Sequence, residues 1–412
     1  MEVLHKRCAG LDVHKELIFV CVLIGLGKQS EKVKRQFGTF PEELTQLRQW
    51  LVELGVTHVL MESTGVYWMP IYDALEGAVE IVVANAQHVM NVPGRKTDES
   101  DAEWLSKLLR FGLVKPSFVP PRPFRELRQL TRYRRALVQQ RASEINRIEK
   151  HLQIAGIKLS SVASKVFTIS GSNMMRQISE GKTDPEKLSE LALSHLRKKK
   201  PALIRAFSLP ISEHTQHLLG IELRHHDRLD VAIAEVENEI DGKVALLAEA
   251  IVLVDQMPGF DKRGAIDLLA ETGTDMSPWK THRQFAAMAG VCPANYISAG
   301  KRLKNRSRQG NPYLKTILVQ AAASAIKVKG SYYQAKFQGL KQRRGHKRAL
   351  VAIAHAMAVA IYYMLKRREP YRELGARFVS DHDIQRKGNL LVRQLEQLGF
   401  GVSLTAAPSS LT

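Results

Sequence analysis

Hydrophobic runs in the first 118 residues are short and separated by polar turns. RCAGLDV (7–13) and LIFVCVLI (17–24) have strand length and lie close enough to pair, and EKVKRQFGTF (31–40) reads as a third strand. PEELTQLRQWLVELG (41–55) reads as a helix, with Pro41 at its start and Gly55 at its end. HVLMEST (58–64) reads as strand, GVYWMPIYDALEG (65–77) mainly as helix, VEIVVANA (79–86) as strand and 98–112 as helix. The order β-β-β-α-β-α-β-α predicts a mixed sheet with helices on its faces.

The pattern changes after a Pro-rich joint, PSFVPPRPF (116–124). A long helical stretch follows, with nine basic and three acidic residues between 121 and 150, and GKTDPEKL and KKKPAL break the chain further on. A second long helix is predicted over about 213–250. There Leu229, Ile233, Val236 and Ile240 repeat at spacings of four, three and four, a coiled-coil seam. Two such helices flanking an insert form either an arm that dimerises or a hairpin packed only on itself. VDQMPGFDKRGAIDLLAETG (254–273) has the form helix, Pro-Gly turn, helix, which can present backbone N–H groups to phosphate. Next comes a loop dense in Lys, Arg, Ser and Gly between two apolar helices. ALVAIAHAMAVAIYYML (349–365) carries His355 and is rich in Ala, and it reads as a buried helix rather than a membrane span. After Glu369 the composition is mixed, with a helix expected at 388–398 and disorder in TAAPSSLT. The expected divisions are 1–118, a helical 119–252, a basic 253–368 and a C-terminal extension 369–412.

Charge turns this outline toward a partner. The 412 residues carry 61 Lys and Arg against 41 Asp and Glu, a net charge of +20. Residues 276–368 contain no carboxylate and 19 Lys and Arg. Such a surface repels itself until a polyanion neutralises it, and nucleic acid is the natural one. The basic residues are not confined to one amphipathic helix, which argues against a membrane surface. Cys8, Cys21 and Cys292 lie far apart with no CxxC pair, so neither a zinc site nor a disulfide framework is expected, and a reducing, cytoplasmic setting fits. No signal peptide is expected, because Lys6 and Arg7 are followed by Asp12 and His14 rather than an apolar run.

The same imbalance confines carboxylate chemistry to the N-terminal part. Asp12 ends the first apolar strand and Glu62 ends a later one, where side chains project past the packed core. Asp98 and Asp101 are three apart on one helix, so they share a face. Together the four offer oxygen-only ligation suited to Mg²⁺ or Mn²⁺, and two such ions stabilise both oxygens of a phosphoryl displacement. Each also has an ordinary role available, such as helix capping. Glu99 and Glu103 are expected to face solvent.

AGLDVHK, MESTGVYW, NVPGRKTDESDAEWL, AMAGVCPANYISAGK and RQGNPYLK together resemble the DEDD transposases of the IS110 family of insertion sequences. The likeness covers about 1–118 and 253–330, with the helical middle similar in character. It implies an RNase H-like domain of the RuvC type, a coiled-coil dimerisation segment and a mainly helical, basic transposase domain. By motif, the acidic metal ligands are Asp12, Glu62, Asp98 and Asp101. Ser298, in ISAGK, stands where the family has a nucleophilic serine, with Ala299 in place of the first glycine of the usual Ser-Gly-Gly-Lys. The resemblance further implies donor and target DNA as substrates, a non-coding bridge RNA as guide and a bacterial, nucleoid-associated setting. Two protomers per strand-exchange partner suggest a homo-tetramer built from dimers.

A serine hydroxyl needs activation by a base or metal, and no acid lies near Ser298 in sequence. The carboxylates and Ser298 are therefore expected to act as one composite site, assembled across domains or subunits. Lys301, Arg302, Lys304, Arg306, Arg308 and Lys315 are expected to hold nucleic-acid phosphates, with Ser307 as a further phosphate contact. Tyr296 has no Arg-His-Arg constellation to support a tyrosine-recombinase scheme. Two other classes stay open from the residues: a RuvC-like junction nuclease acting by water attack, and a non-catalytic nucleic-acid scaffold.

Overall fold

β1 (Arg7–Val13) is buried without interruption from Cys8 to Leu11, which requires a strand covered on both faces. In the computed structural model, which describes residues 2–26, 30–63, 65–93, 100–293, 296–298, 301–304, 307 and 309–403, β1 is the middle of a five-stranded sheet. The order is β3-β2-β1-β4-β5, with β2 (Leu17–Ile24), β3 (Glu31–Gly38), β4 (His58–Glu62) and β5 (Glu80–Ala84). β1, β2 and β3 form an antiparallel meander, while β4 pairs parallel with both β1 and β5. The mixed sheet matches the sequence expectation and is consistent with an RNase H-like α/β domain. This unit covers Met1–Val119, and Pro120–Thr412 forms a second compact unit.

Two helix layers sandwich the sheet. α1 (Pro41–Glu53) and α2 (Trp68–Leu75) place Leu44, Leu47, Leu51, Ile71 and Leu75 against Leu11, Val59 and Met61. The other face meets α3 (Ala86–Met90) and α4 (Asp101–Arg110), whose Ala102, Leu105, Leu108 and Leu109 bury Cys8, Cys21 and Leu60. A fully buried leucine contributes roughly 2 kcal/mol, so either layer outweighs any single polar contact in the unit. α4 lies so close to β1 that a Cβ on Gly10 would stand 2.2 Å from the Ala102 carbonyl and 2.3 Å from the Ser106 amide. α3 was not expected, being too short to show a helical period.

The second unit begins with α5 (Arg122–Ile154), which runs antiparallel to α10 (Glu213–Lys243). The pairs Glu126–Lys243 at 3.2 Å and Arg141–Asp230 at 2.6 Å fix that direction. Leu229 and Ile233 of the predicted seam are buried against Leu137 of α5. The seam is thus covered within the chain, as in the hairpin alternative. Between the two helices lie α6 (Leu159–Val162), α7 (Ile169–Ser179), α8 (Pro185–Glu190) and α9 (Lys200–Ala206), with a core around Met174, Ile178, Leu203 and Phe207.

The helix predicted to 250 ends at Lys243 and, after a short turn, restarts as α11 (Ala248–Asp255), followed by α12 (Lys262–Thr272). The rest comprises α13 (His282–Met288), β6 (Tyr296–Ser298), β7 (Lys301–Lys304), α14 (Pro312–Ala325), α15 (Tyr332–Arg344), α16 (His346–Arg367) and α17 (Gly375–Gln397). Among the described residues only α16 is long and apolar enough to cross a membrane, and half of that stretch is buried inside the unit. Ile353, Met357, Ile361 and Leu365 recur every four residues on its inner face, the pattern of a core helix. α17 is much longer than the expected 388–398, because its polar first half carries little apolar periodicity. TAAPSSLT lies outside the described residues.

Candidate active site

Strand register brings two of the four carboxylates together. β1 and β4 are paired as far as Leu11–Met61, and Asp12 and Glu62 are the next residue on each strand, where neighbouring strands run about 5 Å apart. Leu11 and Met61 enter the core under α1 and α2, so side-chain alternation turns Asp12 and Glu62 to the face that α4 covers.

α4 directs the third toward the same strand end. Cys8 Sγ donates to the Ser106 carbonyl at 3.6 Å, Gly10 lies beneath the Ala102–Ser106 turn, and Leu4 N donates to the Arg110 carbonyl at 2.9 Å. The helix therefore runs antiparallel to β1, and Asp101 at its start lies toward the strand end that carries Asp12 and Glu62. Asp98 and Glu99 lie outside the described residues. Asp12 Oδ2 meets His14 Nε2 at 3.1 Å. Among the described residues no three His, Cys, Asp or Glu side chains form a set that could hold a metal ion. Asp12, Glu62 and Asp101 supply carboxylate oxygen only, the donor type that hard Mg²⁺ and Mn²⁺ take.

Glu103 departs from expectation. It is buried rather than solvent-facing, ringed by Lys32, Lys34 at 2.7 Å and Lys107 at 3.3 Å. Burial alone would raise its carboxyl, but hydrogen bonds from the three lysines outweigh this and bring it down to about 2. Lys32 and Lys34 belong to β3, so Glu103 ties the first turn of α4 to the edge of the sheet.

In the second unit the Lys/Arg-rich loop contains an unforeseen hairpin. Ser298 ends β6 and is paired with Lys301, the first residue of β7; Ile297 pairs with Arg302 and Tyr296 with Lys304. The side chains of these residues, and Ala299, Arg306 and Arg308 as a whole, lie outside the described residues. The hairpin's base is fastened at several points. Pro293 bridges Ser307, Lys315 Nζ donates to Ser307 Oγ at 2.5 Å, and Asn311 N donates to the Met288 carbonyl at 2.8 Å. Lys315 and Ser307, both expected at phosphates, thus bond each other.

Two residues missed in the sequence hold this base in place. Asn311 caps α14, accepting from the amides of Tyr313 and Leu314 at 3.0 and 3.1 Å, and its Nδ2 donates to Glu271 Oε2 at 2.5 Å. Glu271, 1% exposed, is gripped by Arg132 through both oxygens at 2.7 and 2.9 Å, with Arg128 at 3.2 Å. The signals were present: Asn-Pro marks a helix start, and the one acid inside the apolar LLAET needs a buried partner. In the Pro-Gly hairpin, Lys262 and Arg263 answer Asp241 and Glu237 of α10 at 3.2 and 2.5 Å.

The family model for DEDD transposases of IS110 type matches residues 9–157, which span Asp12, Glu62 and α4. A second model, Transposase IS116/IS110/IS902 family, matches 252–338 and takes in the serine hairpin. The chain belongs to the IS110 family of transposases. Along most of its length it is similar to the transposase for insertion sequence element IS1111A of Coxiella burnetii, 25% identical over 377 residues, 89% of this chain and 91% of that protein. A probable family 20 transposase of Pseudomonas aeruginosa is 32% identical over 148 residues, covering 35% of this chain and 43% of the relative. A putative transposase of Sinorhizobium fredii is 30% identical over 171 residues, 40% of this chain and 43% of that one. As an IS110-family transposase the chain is an enzyme that cuts and rejoins DNA.

Proposed function

We propose that this transposase breaks and rejoins donor and target DNA through a 5′-phosphoserine on Ser298. Asp12, Glu62, Asp98 and Asp101 hold Mg²⁺ or Mn²⁺, and a non-coding bridge RNA selects the sites at the bacterial nucleoid. The observation that carries the reading is the register of β1 and β4, with Asp12 beside Glu62 under the start of α4. A divalent cation bound there would offset negative charge on the transferring phosphoryl group. The chain's own part is to hold the oxygen donors, to fix the hairpin through Glu271 and Asn311, and to grip phosphates through the Lys and Arg of 301–315.

The covalent step balances without an external energy source. Ser298 Oγ attacks phosphorus, the Oγ–P bond forms as the P–O3′ bond breaks, and the 3′-oxygen leaves with the serine proton. Attack by a 3′-hydroxyl of the exchange partner reverses this and returns the serine, so rejoining needs no ATP. Strand exchange between two duplexes calls for four cuts, hence a homo-oligomer, with a tetramer built from dimers as the working assembly. Base pairing to the RNA would carry site choice while protein holds backbone and shape.

The test incubates full-length protein with the neighbouring non-coding RNA, donor and target DNA and Mg²⁺, followed by denaturation. A protein–DNA adduct that maps to Ser298 and disappears in Ser298→Ala is expected. If Ser298→Ala still cuts and leaves free ends, water is the nucleophile. Loss of exchange in Asp12→Asn with binding retained excludes a passive scaffold.

A further inference from the structure

α5 carries eight arginines, and seven are committed within the chain. Arg122 pairs with Glu126, Arg125 donates to the Pro120 carbonyl, and Arg128 and Arg132 hold Glu271. Arg134 pairs with Asp267, Arg141 with Asp230 and Arg147 with Glu144. Arg135 is the exception: among the described residues it has no hydrogen bond and no ion pair. Its guanidinium lies 5.6 Å from the centre of the Tyr313 ring, and Arg132 lies over the same ring at 4.1 Å. These residues, with Gln139, Pro312 and Thr316, line a pocket of about 300 Å³ that has no carboxylate in its wall.

We infer that this pocket is a phosphodiester subsite, taking a backbone phosphate of the nucleic acid that passes the serine hairpin. The inference rests on the nucleic-acid reading of the proposed function. An arginine held half-buried without a salt bridge, in a pocket whose wall carries no carboxylate, is placed to receive an anion. Arg132 is neutralised by its two-point contact with Glu271 and serves to stiffen the tyrosine ring. Arg135 makes no salt bridge among the described residues, feels the Asp267 carboxylate only through space, and offers a planar fork suited to phosphate. The Tyr313 hydroxyl and the Gln139 amide are further donors. Thr316 is not one, because its hydroxyl already donates to the Pro312 carbonyl at 2.8 Å. Tyr313 follows directly on Asn311–Pro312, the fastened base of the hairpin. A phosphate held here would therefore be at a fixed remove from the segment that carries Ser298. A lone surface arginine could grip phosphate anywhere; this one is fixed in a pocket at the hairpin's root.

The full-length protein is titrated into fluorescently labelled single-stranded and double-stranded oligonucleotides, RNA and DNA, across a salt series. Arg135→Ala is expected to bind about 10-fold more weakly and to lower the log–log salt slope by roughly one phosphate contact. Arg135→Lys keeps the slope and loses part of the affinity, since a point charge replaces the fork. Gln139→Arg, at an exposed position on the pocket wall, tightens binding and raises the slope by about the same step. The arm that shows these changes identifies the strand seated there. Unaltered affinity and slope in both Arg135→Ala and Gln139→Arg, on every oligonucleotide, overturns the subsite; should Arg135→Ala misfold, Gln139→Arg alone decides. If the Ser298 adduct forms normally while these variants change nothing, only the subsite fails. If the variants behave as expected and no adduct forms, only the serine chemistry fails.

Discussion

Asp101 and Glu103 leave the same first turn of α4 and meet different surroundings. At 100° per residue they lie 200° apart around the helix, so one can turn to solvent while the other enters the lysine cluster of β3. Glu103→Gln removes the charge that three lysines share. Because their side chains are 39–50% exposed, water absorbs part of the repulsion, and a loss of about 2 kcal/mol is expected in urea melts. The pH dependence has a definite sign. The native carboxyl titrates near 2 against an ordinary 4.5, so its stabilisation is complete above 4.5 and is lost as pH falls toward 2. Glu103→Gln should flatten the stability profile in that window and leave a constant offset above it, which thermal melts between pH 2 and 6 would read. First-turn acids look alike in a sequence, and Asp101 and Glu103 could be told apart only once Lys32 and Lys34 were known to lie opposite.

At the scale of elements, two close contacts set the sites. Gly10 lets α4 rest on β1, and because the two nearest obstructing atoms are backbone, Gly10→Ala must shift the helix bodily. A destabilisation of about 3 kcal/mol and loss of strand exchange are expected, measured by denaturant melts and the adduct assay. On the other unit, Asn311→Ala removes a helix cap and a donor to buried Glu271 at once. Its cost should exceed the ~1 kcal/mol of an ordinary cap and reach about 2 kcal/mol. Adduct formation should fall while oligonucleotide affinity stays within about twofold, since no phosphate-gripping arginine is touched; equal losses in both would show that the cap does more than hold the hairpin. The strands β1 to β5 were readable because each is an apolar run bounded by turn residues, as in LIFVCVLI. α3, β6 and β7 were not, since three to five residues contain too little of any period. The seam on α10 was readable as a seam, but a spacing of four, three and four does not say whose helix fills it, and Leu137 does. Of the candidate carboxylates, Asp12 and Glu62 could be placed at strand ends, whereas their adjacency required the register.

For the molecule as a whole, acid and base are segregated: oxygen donors in Met1–Val119, and a stretch of 93 residues without a carboxylate in Pro120–Thr412. Each unit has its own core, so each is expected to fold alone as a cooperative unit, visible by circular dichroism and thermal melts. Isolated 120–412 should still bind oligonucleotides with a steep salt slope, because the excess positive charge belongs to it. Isolated 1–119 should bind them weakly. Neither should form a covalent adduct, since Ser298 without the carboxylates lacks activation and the carboxylates without Ser298 lack the nucleophile. Mixing the two should recover some adduct, and pairing a Ser298→Ala chain with an Asp12→Asn chain distinguishes how the parts cooperate. Recovery in that mixture means that copies of the chain share their sites; no recovery, with each parent still binding nucleic acid, means that one chain supplies both. An adduct formed by 120–412 alone, with the carboxylates physically absent, would remove the reason for coupling these two chemistries in a single reaction.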